Sequence, residues 1–141
     1  MNYPRVALAA VVAWIVSVAV GYFVNSYLLM DLYAAHETVF RPQAEMNLLL
    51  GFGAQLLAFF VFAYMYAKGY EGTSGLQEGL RFGVLIGLLI LGFASAWNYA
   101  VLRVSDALGM AWMIDGLVEM SLYGIIVGLV YRPRAIAAKA R

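Results

Sequence analysis

Between Arg81 and Arg103 the chain reads FGVLIGLLILGFASAWNYAVL, Phe82 to Leu102, without a charge. A helix needs roughly 20 mostly apolar residues to cross a hydrocarbon core of about 30 Å. This run is long enough. It is also continuous rather than alternating, which excludes a barrel strand of about ten residues with a two-residue period. A helix bonds its own backbone groups, as lipid requires. Three more stretches read the same way: about Val6 to Met30, uncharged; Met46 to Ala67, broken only by Asn47 and Gln55; and about Gly109 to Tyr131, which alone carries acids inside, Asp115 and Glu119. The expected fold is all-α, a four-transmembrane-helix bundle. It forms one integral membrane domain over residues 1–141, with approximate spans 6–30, 46–67, 82–102 and 109–131.

Composition agrees. The 141 residues are 65% hydrophobic and 12% charged, and the mean hydropathy is +0.83. Soluble domains are about 45–50% apolar and about 25% charged. Too few charges remain to cover a water-soluble core, which argues against a soluble, disordered or nucleic-acid-binding chain. The net charge of +1 recruits no polyanion. With no cysteine, thiolate sites and disulfide scaffolds are excluded. The lipid bilayer is the partner this composition implies.

The first span is too long for the 7–15-residue core of a signal peptide, and Tyr33-Ala34-Ala35 offers no small-x-small cleavage site. It is expected to be a retained helix. Placing both termini in the cytoplasm collects Arg5, Lys68, Arg81, Arg132, Arg134, Lys139 and Arg141 on that side, against Arg41 and Arg103 outside. That asymmetry follows the positive-inside rule. Tyr64, Tyr66, Tyr70 and Tyr131 then lie at the inner boundary, and Tyr27, Tyr33, Trp97 and Trp112 at the outer one, where amphipathic rings favour the headgroups.

The outer connection, Asp31 to Glu45, holds His36, Glu37 and Arg41, with a break at Arg41-Pro42. The inner connection, Lys68 to Leu80, is glycine-rich. It contains Ser74-Gly75-Leu76-Gln77, spaced as a capping box with Ser74 as N-cap, so the third helix is expected to start near Gly75. A phosphate-binding loop would need a Lys-Ser/Thr pair that is missing. The short link Arg103 to Leu108 makes the last two helices antiparallel neighbours. Gly21-Tyr22 before Asn25-Ser26-Tyr27-Leu28-Leu29 parallels Gly92-Phe93 before Asn98-Tyr99-Ala100-Val101-Leu102. That suggests a 2+2 parallel repeat about an axis along the membrane normal, although a match this short also arises by chance.

Gly79, Gly83 and Gly87 recur at every fourth position of the third helix, and Gly124 and Gly128 close the fourth. Small residues let helix backbones approach closely in lipid. These faces serve either internal packing or a partner: a second copy or a larger membrane complex.

Asp115 and Glu119, four residues apart, share a helix face. Counted from Gly109, they lie about 9 and about 15 Å deep. An acid at a helix centre costs on the order of 3 kcal/mol and therefore turns toward the bundle interior or a cavity. Burial and a neighbouring carboxylate both favour the neutral form, so Glu119 is expected to be protonated at neutral pH. The candidate polar site comprises Asp115, Glu119, Asn98, Arg103 and Gln55, with Asn25 as a further neighbour. Either Asp115 pairs with Arg103 while Glu119 bonds Gln55 or Asn98, a structural clasp, or the acids form a proton or cation relay or a polar ligand pocket. A hard metal wants about six oxygen ligands, so no metal and no cofactor is expected. His36, the only histidine, is expected to be a solvated or salt-bridged loop residue.

The stretch Gly75-Leu76-Gln77-Glu78-Gly79-Leu80-Arg81-Phe82-Gly83 leading to Gly87 and Gly92-Phe93, together with Asp115 in a last helix ending in Gly124 and Gly128, resembles small four-helix inner-membrane proteins of bacteria whose activity is unknown. The resemblance implies a bacterial inner (cytoplasmic) membrane and a four-span fold, and carries no activity. Small multidrug exporters share the size and span count, but they place their essential acid in the first helix, which has none here. The expected role is non-enzymatic, an accessory or scaffold component of a membrane assembly. The alternative is a small proton-coupled transporter or channel-like protein using Asp115 and Glu119.

Overall fold

A computed structural model describes residues 1–132. Arg134, Lys139 and Arg141, three of the basic residues that orient the chain, lie outside them. Four helices among the described residues are long and apolar enough to cross a membrane: Tyr3–Leu28, Leu48–Lys68, Gly75–Val101 and Asp106–Tyr131. No strand occurs among these residues. The first span is α1 (Tyr3–Phe23) prolonged by a π turn, Val24–Leu28, and the short α2 (Met30–Ala34) follows. Helix α3 is Leu48–Lys68. The third span is α4 (Gly75–Ile90), a second π turn at Leu91–Ser95, then α5 (Ala96–Val101). Helix α6 covers Asp106–Tyr131.

Side-chain caps set three of the helix starts. Asn2 accepts the Arg5 N–H at 3.2 Å, with Pro4 in the first turn. Asn47 accepts Leu50 N–H at 3.0 Å, and Ser105 accepts Leu108 N–H at 3.3 Å. Each satisfies one of the donors a helix start leaves open. Helix α4 begins at Gly75, but the capping box expected there is not formed, because Ser74 makes no side-chain bond. The carboxylate of Glu78, 5% exposed, is the acceptor instead. It accepts from the Thr73 N–H, from Thr73 Oγ1 at 2.6 Å and from the Glu71 N–H at 3.3 Å. Gly72, at φ +86°, makes the turn between these two donors. These donors belong to the loop before α4, so Glu78 ties that loop to the helix rather than taking the Gln77 N–H that a Ser74 cap would have held.

Helices α4 and α6 make the most extensive contact. Gly75, Gly79, Gly83 and Gly87 face Gly128, Gly124, Met120–Ser121 and Leu117 in turn. A Cβ at Gly124 would sit 2.7 Å from Gly83 Cα, and one at Gly128 would sit 3.0 Å from Gly79 Cα. No larger residue fits there without moving a backbone. Helix α1 meets the pair and α3 through small residues, with Ala9, Ala10, Ala13 and Ala63 fully buried. Phe59, Phe62, Tyr66, Phe82, Tyr123 and Tyr131 interlock edge to face at centroid distances of 4.8–6.0 Å.

All of this lies toward one end of the bundle, where α1 and α4 start and α3 and α6 finish. The other end is open. Helix α1 buries nothing beyond Ser17 and α3 nothing before Phe59; Leu49 is 88% exposed. The connection 31–45 folds back over the start of α6. Trp112 Nε1–H donates to Tyr33 Oη at 2.9 Å, and Phe40 packs against both rings. His36, half-buried in this connection, makes no ion pair among the described residues and is bonded to backbone on both sides. Its Nδ1 lies 2.7 Å from Leu32 O, and its Nε2 accepts the Ser105 N–H at 2.9 Å. A carbonyl only accepts and an amide N–H only donates, so the ring is neutral with its proton on Nδ1.

Candidate intramembrane polar site

Asp115 and Glu119 lie half-buried on a stripe of α6 that continues through Tyr123, Val127 and Tyr131. Tyr123 meets Phe59 of α3, so this stripe turns toward α1 and α3, while Gly124 and Gly128 turn toward α4. The split arises because residues four apart lie close on one helix face, whereas Gly124 sits about 140° and Gly128 about 180° from Glu119.

Of the residues expected beside the acids, several are elsewhere. Arg103 and Asn98 are exposed, and Asn25 donates to Gly21 O of its own helix at 2.7 Å. The one ion pair among the described residues is Arg81–Glu71, on an exposed surface. The clasp of Asp115 with Arg103, and of Glu119 with Gln55 or Asn98, is therefore not formed among them. The π turn at Leu91–Ser95 gives a reason. An extra residue in a turn rotates the remainder of the helix by about 100°, so spacing counted along a regular helix misplaces Asn98. Ser95, inside that turn, is held instead, its hydroxyl donating to Trp112 O at 3.4 Å.

Gln55 does reach the level of Glu119. Helices α3 and α6 run in the same direction, since Phe59 pairs with Tyr123 and Tyr66 with Tyr131. Gln55 and Glu119 each lie one turn before the first of these pairs. Helix α1 runs the opposite way, with Asn2 N–H donating to Tyr131 Oη at 3.4 Å. Stepping about 18 Å inward from that bond along each helix brings Trp14 level with Glu119. At this level Trp14 Nε1 and Gln55 Oε1 are buried without a hydrogen-bond partner, while the Tyr123 hydroxyl lies beside the Glu119 carboxyl as its polar neighbour. Buried polar groups ordinarily have a partner, and the Tyr66 hydroxyl, nearer the glycine end, also lacks one.

Sequence reasoning missed Trp14 and Tyr123. A signal existed for both: an indole N–H or a phenol in the middle of a span, away from the headgroups, needs a partner. Nearer the start of α6 than the acids, Tyr33 bonds Trp112. Burial pushes its phenol above the ordinary value; the Trp112 bond opposes this, and Asp115 and Glu119 add to it.

No group of three or more His, Cys, Asp or Glu side chains able to hold a metal occurs among the described residues. No protein-family model, curated protein or solved structure matches the chain. The chain has the helices of a multi-pass membrane protein, and the polar level across α1, α3 and α6 is where its unusual chemistry concentrates.

Proposed function

We propose that this chain is a small non-catalytic transporter or channel-like protein of a bacterial inner membrane, with Asp115 and Glu119 as the groups that carry a proton or cation. The observation behind this reading is the orphaned polar level. Structural acids in lipid find partners, yet no cation or amide bonds these among the described residues. The charge asymmetry supports cytoplasmic termini, which makes the open end of the bundle, with the acids, the outer one. The bacterial membrane rests on the resemblance in the sequence. Two π turns near the same end of the first and third spans favour the 2+2 repeat. Glycine faces meeting at van der Waals range favour glycine-mediated packing as what joins α4 to α6.

The accessory or scaffold role is the second reading. The glycine stripes that motivated it are occupied within the chain. It draws instead on the outer half of α3, where a Cβ at Gly51 or Gly53 would touch nothing within 4 Å, a face open to a second copy or a partner helix.

Proton flux into vesicles containing the purified protein, read by an entrapped pH-sensitive dye under an imposed membrane potential, separates the two. Glu119→Gln keeps the shape and removes titration. Flux lost in that variant with assembly intact supports transport. Wild-type vesicles no leakier than protein-free ones would sink it.

A further inference from the structure

Where α1 starts and α3 and α6 finish, a cavity of about 420 Å³ opens between the three helices. It is bordered by Asn2, by Lys68 and Tyr70 at the end of α3, and by Tyr131 at the end of α6. Ligand pockets ordinarily run from about 300 to about 1,000 Å³. The lining includes one cation, two phenols and an amide, and no acid among the described residues. Asn2 uses its side-chain oxygen to cap the Arg5 N–H, which leaves its NH2 to donate. Tyr131, 2% exposed, accepts the Asn2 N–H at 3.4 Å through its oxygen and keeps its own proton to give. Tyr70 stands edge-on to it at a centroid distance of 5.5 Å and brings a second hydroxyl. Lys68 makes no ion pair among the described residues. Its ammonium lies 5.6 Å from the centre of the Tyr64 ring, a contact that uses no N–H donor. The nearby acids are engaged elsewhere, Glu71 with Arg81 and Glu78 with the loop before α4. Donors therefore exceed acceptors around one positive charge.

We propose that Lys68, Tyr131, Tyr70 and Asn2 bind a phosphate group at the membrane surface. A phosphodiester carries one negative charge, which Lys68 balances, and its oxygens accept from several donors at once. The aromatic rings of Tyr64, Tyr66, Tyr70 and Tyr131 belong at the headgroup level, where lipid phosphates lie, and basic pockets between membrane helices take such groups. A lysine at the end of α3 complements the helix dipole without any ligand, and basic residues collect on one side of a membrane protein in any case. Neither effect gathers a buried phenol, a second hydroxyl and a free amide around the same cavity. A phosphate held there ties the start of α1 to the ends of α3 and α6, adding to the Asn2–Tyr131 bond. The site lies about 18 Å along α6 from Glu119 and does not depend on transport.

The test is thermal unfolding of the full chain in a nonionic detergent. Dioleoylphosphatidylglycerol is compared with dioleoylglycerol, which has the same chains and no phosphate, at equal mole fraction. Sodium phosphate is compared with sodium chloride at equal pH and ionic strength. A saturating phosphate source is expected to raise the unfolding temperature by about 5 °C over its control. A rise with the phospholipid alone assigns the site to a lipid headgroup, and a rise with sodium phosphate as well shows that the free anion suffices. The rise is lost in Lys68→Met and reduced in Tyr131→Phe, which keeps the ring and removes the O–H. Should Tyr131→Phe not fold, Tyr70→Phe must reduce the rise. Arg81→Gln, a cation at the same end but paired with Glu71, should keep the rise in full. No rise from either phosphate source, an equal rise with dioleoylglycerol, or a full rise in Lys68→Met would overturn the proposal. So would a loss in Arg81→Gln matching that in Lys68→Met, because the effect would then be the attraction of anions to a basic surface rather than binding in this cavity.

Discussion

The two ends of this bundle are built on opposite rules. Where α1 and α4 start and α3 and α6 finish, small residues bring backbones together and aromatic rings fill what remains. At the other end α1 and α3 bury nothing and the first and third spans each carry a π turn, while α6 keeps Leu108 fully buried and Gly109 against Tyr99. Between the two ends lie Trp14 Nε1 and Gln55 Oε1, buried without partners. Water cannot drive helices together in lipid, so association depends on how closely surfaces approach. The glycine end achieves close approach and becomes rigid. The other end lacks such packing, and the two acids of α6 lie on that side of the aromatic cluster.

The largest expected effect tests the closed end. Gly124→Leu forces a side chain into the backbone of α4 and should cost about 3 kcal/mol or more, read as loss of the folded fraction in a denaturing-detergent titration. Gly53→Leu, its counterpart at the open end with nothing within 4 Å, should change stability by less than about 0.5 kcal/mol. Equal losses would erase the contrast. Next, Glu78→Ala strips the acceptor from the Thr73 and Glu71 amides and is expected to cost about 2 kcal/mol, with faster hydrogen exchange at both.

At the open end the clasps are weaker. Trp112→Phe removes the bond to Tyr33 and should cost about 1 kcal/mol. His36→Ala should speed hydrogen exchange at Ser105 without altering α4–α6 protection. Smallest of all, Arg81→Ala removes an ion pair between two largely exposed side chains and should shift stability by less than about 0.5 kcal/mol.

Much of the closed end is legible in the sequence. Spans follow from apolar length, α4 starts at Gly75 as expected although the Ser74 cap that suggested it makes no side-chain bond, and a glycine at every fourth residue marks a face. The acids stand out as the charges hardest to accommodate in lipid. Their surroundings do not. Asn98 and Arg103 stand at plausible distances along a regular helix, but the π turn at Leu91–Ser95 breaks that regularity, and nothing in its Leu-Gly-Phe-Ala-Ser composition announces it. Glu78 looks like an ordinary residue of the first turn. Its role depends on how the Glu71–Thr73 loop folds back, a contact five to seven residues away in the chain.

By itself the sequence determined that this chain forms long apolar helices, which of their faces are small and that two carboxyls must lie within the bundle. These are properties of single helices, set by length, period and the cost of charge in lipid. Only the tertiary structure decided that the two glycine faces meet each other and that Trp14, Gln55, Glu119 and Tyr123 share one level. Those depend on helix direction and register, which no helix specifies alone and which close packing between helices selects.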